Sequence, residues 1–364
     1  MRIDYFGLVK GAAKKLTMNT LPDDLLCRCL ARVPLADRVT AERVCKGWYE
    51  AFASRAYTVA RRACAEPAWL VKGGREGATG GVLDKCHMLD SSLRKVAELA
   101  PRLSYSTGSA VIPGLGVLVM GGYGEAYQPT VTGWVLDLQA GSTWRHWADL
   151  PAPCGRPSLC ALGESIYVDC CYNMHSDDAQ SELLRYDKQG NLIETIQKPA
   201  AIREPLGDAP VLCAINGRLF VMTQVDADLP SYRMDSYDPA TGAWQRMPDP
   251  PVQAYGLNNG AAAHAGKLYS IGGLVYTDTM VRQDIADVRV FDGQEWSTGP
   301  PLPTPEYCDV VVSAGDRIFA VVDNFRRAYV LHDGTWHSHS CEETELIAFP
   351  FVVPIGSAVA GHSA

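Results

Sequence analysis

An apolar residue followed by Asp or His recurs six times along this chain: Leu89-Asp90, Leu136-Asp137, Tyr186-Asp187, Tyr237-Asp238, Phe291-Asp292 and Leu331-His332. The steps between these pairs are 47, 50, 51, 54 and 40 residues. A short apolar run precedes each pair. Three runs end in paired glycines, closing at Gly73-Gly74, Gly121-Gly122 and Gly272-Gly273. In the other three the glycines are replaced, by Cys170-Cys171, Thr223-Gln224 and Val322-Asp323. After most pairs come a turn and a strand-like run bearing a tryptophan: Trp144, Trp244, Trp296 and Trp336. Units of this kind are too short to bury their own apolar faces, so they must stack on their neighbours.

Four short strands per unit at a period near fifty are the signature of a β-propeller, and the pattern resembles kelch repeats. In such a ring, paired Gly is expected to let the inner strand turn beside the crowded central channel. Asp238-Pro239-Ala240-Thr241-Gly242 reads as a tight turn. The Trp is expected to fill the wedge between neighbouring sheets. The first of the six units begins at its second strand, Trp69, with no inner strand before it. The apolar run Leu346 to Val353 follows the last unit and has no unit of its own. It is expected to supply the missing strand and close a six-bladed, all-β propeller over residues 65–364, removing both open sheet edges.

The segment before the repeats is different in kind. Residues 1–18 read as a leader, and residues 19–64 as a three-helix module with a linker helix. Leu21-Pro22-Asp23-Asp24 places Pro in a first helical turn, with carboxylates at the positive end of the helix dipole. Leu25, Leu26, Cys29, Leu30 and Val33 recur at helical spacing, and Pro34 ends the run. A short turn from Leu35 to Val39 leads to Thr40. Thr40 is expected to cap a third helix with Ala41, Val44, Cys45, Trp48 and Phe52 on one side. This is more apolar surface than so small a bundle hides, which points to a partner.

The order Leu21-Pro22, Leu25-Leu26, Leu30, Val33-Pro34, Val44-Cys45 and Trp48 resembles an F-box. That resemblance implies that these ten residues dock on a Skp-family adaptor and, through it, on a cullin. With the repeats, the chain resembles the F-box/kelch-repeat family, numerous in land plants. The family implies a substrate-recognition subunit of an SCF-type ubiquitin ligase that performs no bond chemistry itself. Its propeller would present a protein for ubiquitination and proteasomal degradation. A ligand-sensing or metabolic propeller, and a non-degradative scaffold, stand as alternatives.

Charge and cysteine usage narrow the classes. Of the 364 residues, the first 64 carry a net +6 within a chain whose total is −8, so the remainder is strongly acidic. An acidic propeller is a poor nucleic-acid ligand. The 12 Cys show no C-x-x-C pair and many sit in strand-like apolar runs, and no Asn-x-Ser/Thr acceptor occurs. These features fit a reducing cytoplasmic or nuclear compartment. No apolar run reaches the length of a membrane helix, and the first residues lack the core and cleavage site of a secretory signal.

Candidate chemistry is thin. His332, His337, His339 and Cys341 crowd one turn and have the types of zinc or copper ligands, but no second cluster accompanies them, and they read as a polar edge strand rather than a metal site. Cys170 and Cys171 point to opposite faces of a strand and pair poorly. No cofactor is expected. In the family, the loops after each second strand and the loops entering the next blade emerge on one rim that engages partners. Here they carry Tyr123, Tyr127, Tyr172, Tyr255, Tyr276, Arg282, Tyr307, Arg326 and Arg327. Tyr and Arg dominate binding hot spots because they combine area with a polar tip.

Overall fold

The chain divides into two units, residues 1–65 and 66–364. The computed structural model describes residues 21–30, 33, 41, 43–52, 54 and 56 of the first unit. In the second it describes 70–74, 82–83, 85–89, 95–99, 103–104, 107–112, 115–124, 128–137, 143–172, 180–202, 210–224, 231–251, 260–276, 281–314, 317–322 and 327–340.

In the first unit, α1 spans Asp23–Leu30, with Asp23 and Asp24 in its first turn. The Pro22 carbonyl accepts from Leu26 N at 2.9 Å, so Pro22 starts the helix as its fixed φ favours. α2 spans Lys46–Phe52, and the Cys45 carbonyl accepts from Trp48 N and Tyr49 N. Leu26, Cys27, Leu30 and Ala41 are buried together, with Leu21, Val33, Trp48 and Ala51 packed around them. Two expectations need correction. The helix does not run from Thr40: Ala41 is helical, but Val44 N closes a turn on the Ala41 carbonyl at 3.1 Å and the helix restarts at Lys46. The apolar residues of α1 do not share one buried face either. Cys27 joins Leu26 and Leu30 inside, while Leu25 and Cys29 are exposed. The turn from Leu35 to Val39, and Pro34, lie outside the described residues.

The second unit is a β-propeller in which the described residues form five four-stranded antiparallel blades. In chain order they run from Gly108–Ile112 to Thr143–Cys154, from Ser158–Leu162 to Leu192–Ile196, and from Val211–Ile215 to Ala243–Arg246. The last two run from Ala261–His264 to Trp296–Thr298 and from Cys308–Ala314 to Thr335–Ser340. Ahead of them the first repeat forms a three-stranded sheet of Leu70–Gly74, Lys85–Leu89 and Lys95–Leu99. The run from Leu346 to Val353 lies outside the described residues.

Each second strand is sandwiched between neighbouring sheets, which is why it reads as an unbroken apolar run rather than an alternation. Val117–Met120, Ile166–Cys170, Leu219–Gln224 and Ile318–Val322 are buried throughout. The core is a series of interfaces between successive blades. One joins Met120 and Val135 to Ile166, Val168 and Leu184; another joins Phe220 and Met234 to Leu268 and Phe291. The outermost strands face water, and Leu192 and Ile193 are exposed.

The recurrent residues have the following roles. Asp187, Asp238 and Asp292 accept backbone N–H groups of the turns that follow them, at 2.8–2.9 Å. The outer-strand tryptophans bridge to the preceding blade. Trp244 Nε1 donates to the Gln197 carbonyl at 3.0 Å, Trp296 to that of Pro248 at 3.0 Å and Trp336 to that of Pro300 at 2.8 Å. Trp144 does not follow this rule: its Nε1 is buried without a partner, and Trp147 instead donates to the Lys188 carbonyl at 3.1 Å.

The glycine pairs need a correction as well. Gly121-Gly122 and Gly272-Gly273 do not bend an inner strand at the channel; they follow the end of the second strand, whereas Gly73-Gly74 are paired inside theirs. Gly121 and Gly122 adopt φ of 62° and 89°, and Gly272 and Gly273 φ of 65° and 116°. Gly122 N then donates to the Cys154 carbonyl at 2.9 Å and Gly273 N to the Glu306 carbonyl at 3.1 Å, stitching the rim to the segment that enters the next blade. A Cβ at Gly121 would stand 2.6 Å from the Cys154 oxygen. Where the glycines are replaced the strand continues, to Tyr172 in one blade and Gln224 in the next.

Candidate functional site

The first candidate surface lies on the helical unit. Of the ten adaptor-contact residues expected there, Leu26 and Leu30 are buried and hold the module together. Leu21, Val33, Cys45 and Trp48 are half-buried, and Trp48 Nε1 has no partner. Pro22, Leu25 and Val44 are exposed. Leu25 is 43% and Val44 59% accessible, and Tyr49, which sequence reasoning missed, is 61% accessible. Tyr49 follows Trp48 by one helical position, about 100° around the axis, so a residue next to a core Trp must face away from that core. Among the described residues, these three are the large hydrophobic side chains that the module leaves exposed.

The second candidate surface is the propeller rim at 272–284 and 304–329. A hairpin of Leu274–Tyr276 and Arg282–Asp284 rises from the rim, with Tyr276 opposite Arg282. The Arg282 guanidinium lies over the Tyr307 ring at 5.3 Å and donates to Asp284 Oδ1 at 2.9 Å. That hydrogen bond holds the Arg282 pKa above its ordinary value. Arg327 donates to Glu306 Oε1 at 2.6 Å and to the Tyr329 hydroxyl at 3.1 Å. The rim brings Tyr276, Arg282, Tyr307 and Arg327 into one region, but Arg282 and Arg327 each already hold a carboxylate. The acids that meet them, Asp284 and Glu306, lie 2 and 21 residues away, and Val281, at 60% exposure, was also missed.

The remaining rim residues are dispersed. Tyr123 packs its ring over Gly155, where any Cβ would collide with it. Tyr172 ends a second strand. Tyr127, Tyr255 and Arg326 lie outside the described residues. His332 pairs with Asp333 at 3.2 Å, and His337 and His339 sit on the outermost strand Thr335–Ser340.

A helical module with an uncovered apolar surface, in one chain with a propeller, defines a two-module class of protein. Residues 18–58 match the F-box domain. A segment of 186 residues, 50% of this chain and 56% of the relative, is 28% identical to an F-box/kelch-repeat protein of Arabidopsis thaliana, so the match spans about half of that relative's length. The solved structure of YjhT aligns with a TM-score of 0.52 at 12% identity, covering 76% of this chain and 99% of that one, a likeness of fold. The first two findings make the chain similar to F-box/kelch-repeat proteins, and the third bears on the fold alone.

Proposed function

We propose that this chain is the non-catalytic substrate-recognition subunit of an SCF-type ubiquitin ligase. The observation that carries the proposal is the coincidence of the F-box match with the uncovered Leu25, Val44 and Tyr49. A Skp-family adaptor seated there links the chain to a cullin. The propeller, six-bladed once the run from Leu346 to Val353 completes the first blade, holds a protein substrate and raises the local concentration of its lysines at the ubiquitin-charged enzyme. The chain works in the cytoplasm or nucleus, without a cofactor, and its substrate is degraded by the proteasome. Tyr276, Arg282, Tyr307 and Arg327 form the substrate rim with Tyr123, Tyr127, Tyr172, Tyr255 and Arg326.

Co-purification of tagged chain with adaptor and cullin tests the reading. Leu25→Asp with Val44→Asp is expected to abolish adaptor capture while leaving the thermal midpoint unchanged, because both side chains are exposed. Undiminished capture by that double variant would defeat the assignment.

A further inference from the structure

We propose that the cleft between the blades of 211–246 and 261–298 binds a small apolar carboxylic acid, with its carboxylate on Arg218. This site is independent of the adaptor surface and of the substrate rim. It opens at the opposite end of the blades, at the turn Asn216-Gly217 and the turn after Asp292. Its volume, about 520 Å3, is that of a small-molecule pocket. Ile215, Phe220, Met247 and Pro248 supply an apolar wall.

The polar groups there are not equally available. Arg246 is spent on the Met234 and Met247 carbonyls and on the Asp249 carboxylate. Asp292 is spent on Gln294 N and Glu295 N. Arg218 differs from both. Its Nη1 donates to a neutral acceptor, Gln245 Oε1, at 3.1 Å, and its Nε is buried without a partner. Among the described residues no carboxylate neutralises it. Ser236 is fully buried in the same cross-strand row as Phe220 and Gln245, and its Oγ is also unpartnered.

A buried donor without an acceptor carries a desolvation cost that a ligand oxygen would remove. The guanidinium fork matches a planar carboxylate. Amides of Asn216 and Gln294 line the same cleft. One cation held only by a neutral amide, in a cleft that also carries the Asp292 carboxylate, suits a monoanion and disfavours a phosphate dianion. The apolar wall asks for a hydrocarbon body behind the charge. Gly293 of the next blade lines the mouth at φ 105°, a conformation that favours glycine.

The test is calorimetry and saturation-transfer NMR on the full chain with phenylacetate, benzoate and butyrate, set against phenylacetamide and inorganic phosphate. At least one of the three acids is expected to bind saturably. Its neutral amide should bind at least ten-fold more weakly, and phosphate should not compete. Arg218→Gln should lose binding with its fold intact by circular dichroism. Should that variant misfold, Arg218→Lys keeps the charge without the fork and should bind at least five-fold more weakly. Failure of all three acids to bind, equal binding of acid and amide, competition by phosphate, or unchanged affinity in a folded Arg218 variant would each overturn the proposal.

Discussion

The Lys198 ammonium lies 2.6 Å from both carboxylate oxygens of Asp169, and neither side chain is accessible to solvent. Ser181 Oγ completes the group, 2.9 Å from Asp169 Oδ1 and 2.6 Å from Lys198 Nζ. Asp169 and Ser181 sit on adjacent strands of one blade, and Lys198 follows that blade's outermost strand, just after the Gln197 carbonyl that receives Trp244. A buried pair is worth little over a well-packed apolar replacement, but breaking one side strands a charge. Lys198→Met is therefore expected to cost about 3–5 kcal/mol. Asp169→Leu combined with Lys198→Met should recover much of that loss. Urea unfolding of the three chains checks both; a single variant as stable as the parent would show that the charge is not held where it lies.

The tryptophan bridges give a second expectation. Trp296→Phe keeps the ring but removes the hydrogen bond to the Pro248 carbonyl. The loss should be about 0.5–1.5 kcal/mol plus the smaller ring volume. Amide exchange should report it locally, at the turn around Pro248 and the strand Trp296–Thr298. No local change in exchange would mean the bridge does not tie the blades together.

In the helical unit, buried and exposed residues should separate cleanly. Leu30→Ala removes a side chain with no accessible surface and should destabilise the module by about 2–5 kcal/mol. Tyr49→Ala, on the outside, should change stability by less than about 0.5 kcal/mol. Thermal unfolding of the chain with each substitution discriminates the two, and equal losses would contradict the packing described here.

Thiol reactivity follows burial. The Cys213 thiol is pushed up to about 12 by burial, and burial also raises Cys160 well above the ordinary thiol value. Cys29 is exposed. Among the described cysteines, iodoacetamide at pH 8 should label Cys29 first and leave Cys213 and Cys160 unmodified until denaturant is added. Mass spectrometry of the digested chain reads the order directly.

The Asp turns make stability pH-dependent. Asp187 is held below the ordinary carboxylate value, chiefly by the Asn191 side chain, and Asp292 by the N–H of Glu295. A depressed folded pKa stabilises above the unfolded value, near ~3.9, and that contribution is lost as pH falls through the folded value. Asp187→Ala with Asp292→Ala should be less stable than the parent at pH 6, and the gap should shrink below about pH 4. A gap that stays constant across this range would remove the carboxylates from the account.

Much of the propeller was legible because its marks are local. Asp238 and Asp292 sit beside the turns they cap, and the tryptophans keep one place in the outer strand. The partners were not legible, since Trp244 reaches back 47 residues to Gln197 and Lys198 reaches 29 residues to Asp169. Spacing alone could not divide Leu25 from Leu26, adjacent on a helix edge, into outside and inside. The cleft at Arg218 was invisible for a related reason. What distinguishes that arginine is that its Nη1 bond goes to the neutral Gln245 and its Nε to no acceptor, and periodicity carries no record of that.

The glycine replacements shape the top of the propeller in a way that bears on any partner. The second strands before Gly121-Gly122 and Gly272-Gly273 stop at Met120 and Ile271, whereas two that lost the glycines run on through Tyr172 and Gln224 as 8- and 7-residue strands. At about 3.3 Å per residue, the two or three extra positions lift those edges by roughly 7–10 Å. The landing platform is thus stepped rather than level: the sheet itself stands taller in the blades of 158–196 and 211–246, while in the blade of 261–298 a separate hairpin, Leu274–Tyr276 with Arg282–Asp284, carries the chain past the glycines. A rigid flat body would touch only the raised edges, whereas one with a protruding loop could seat fully.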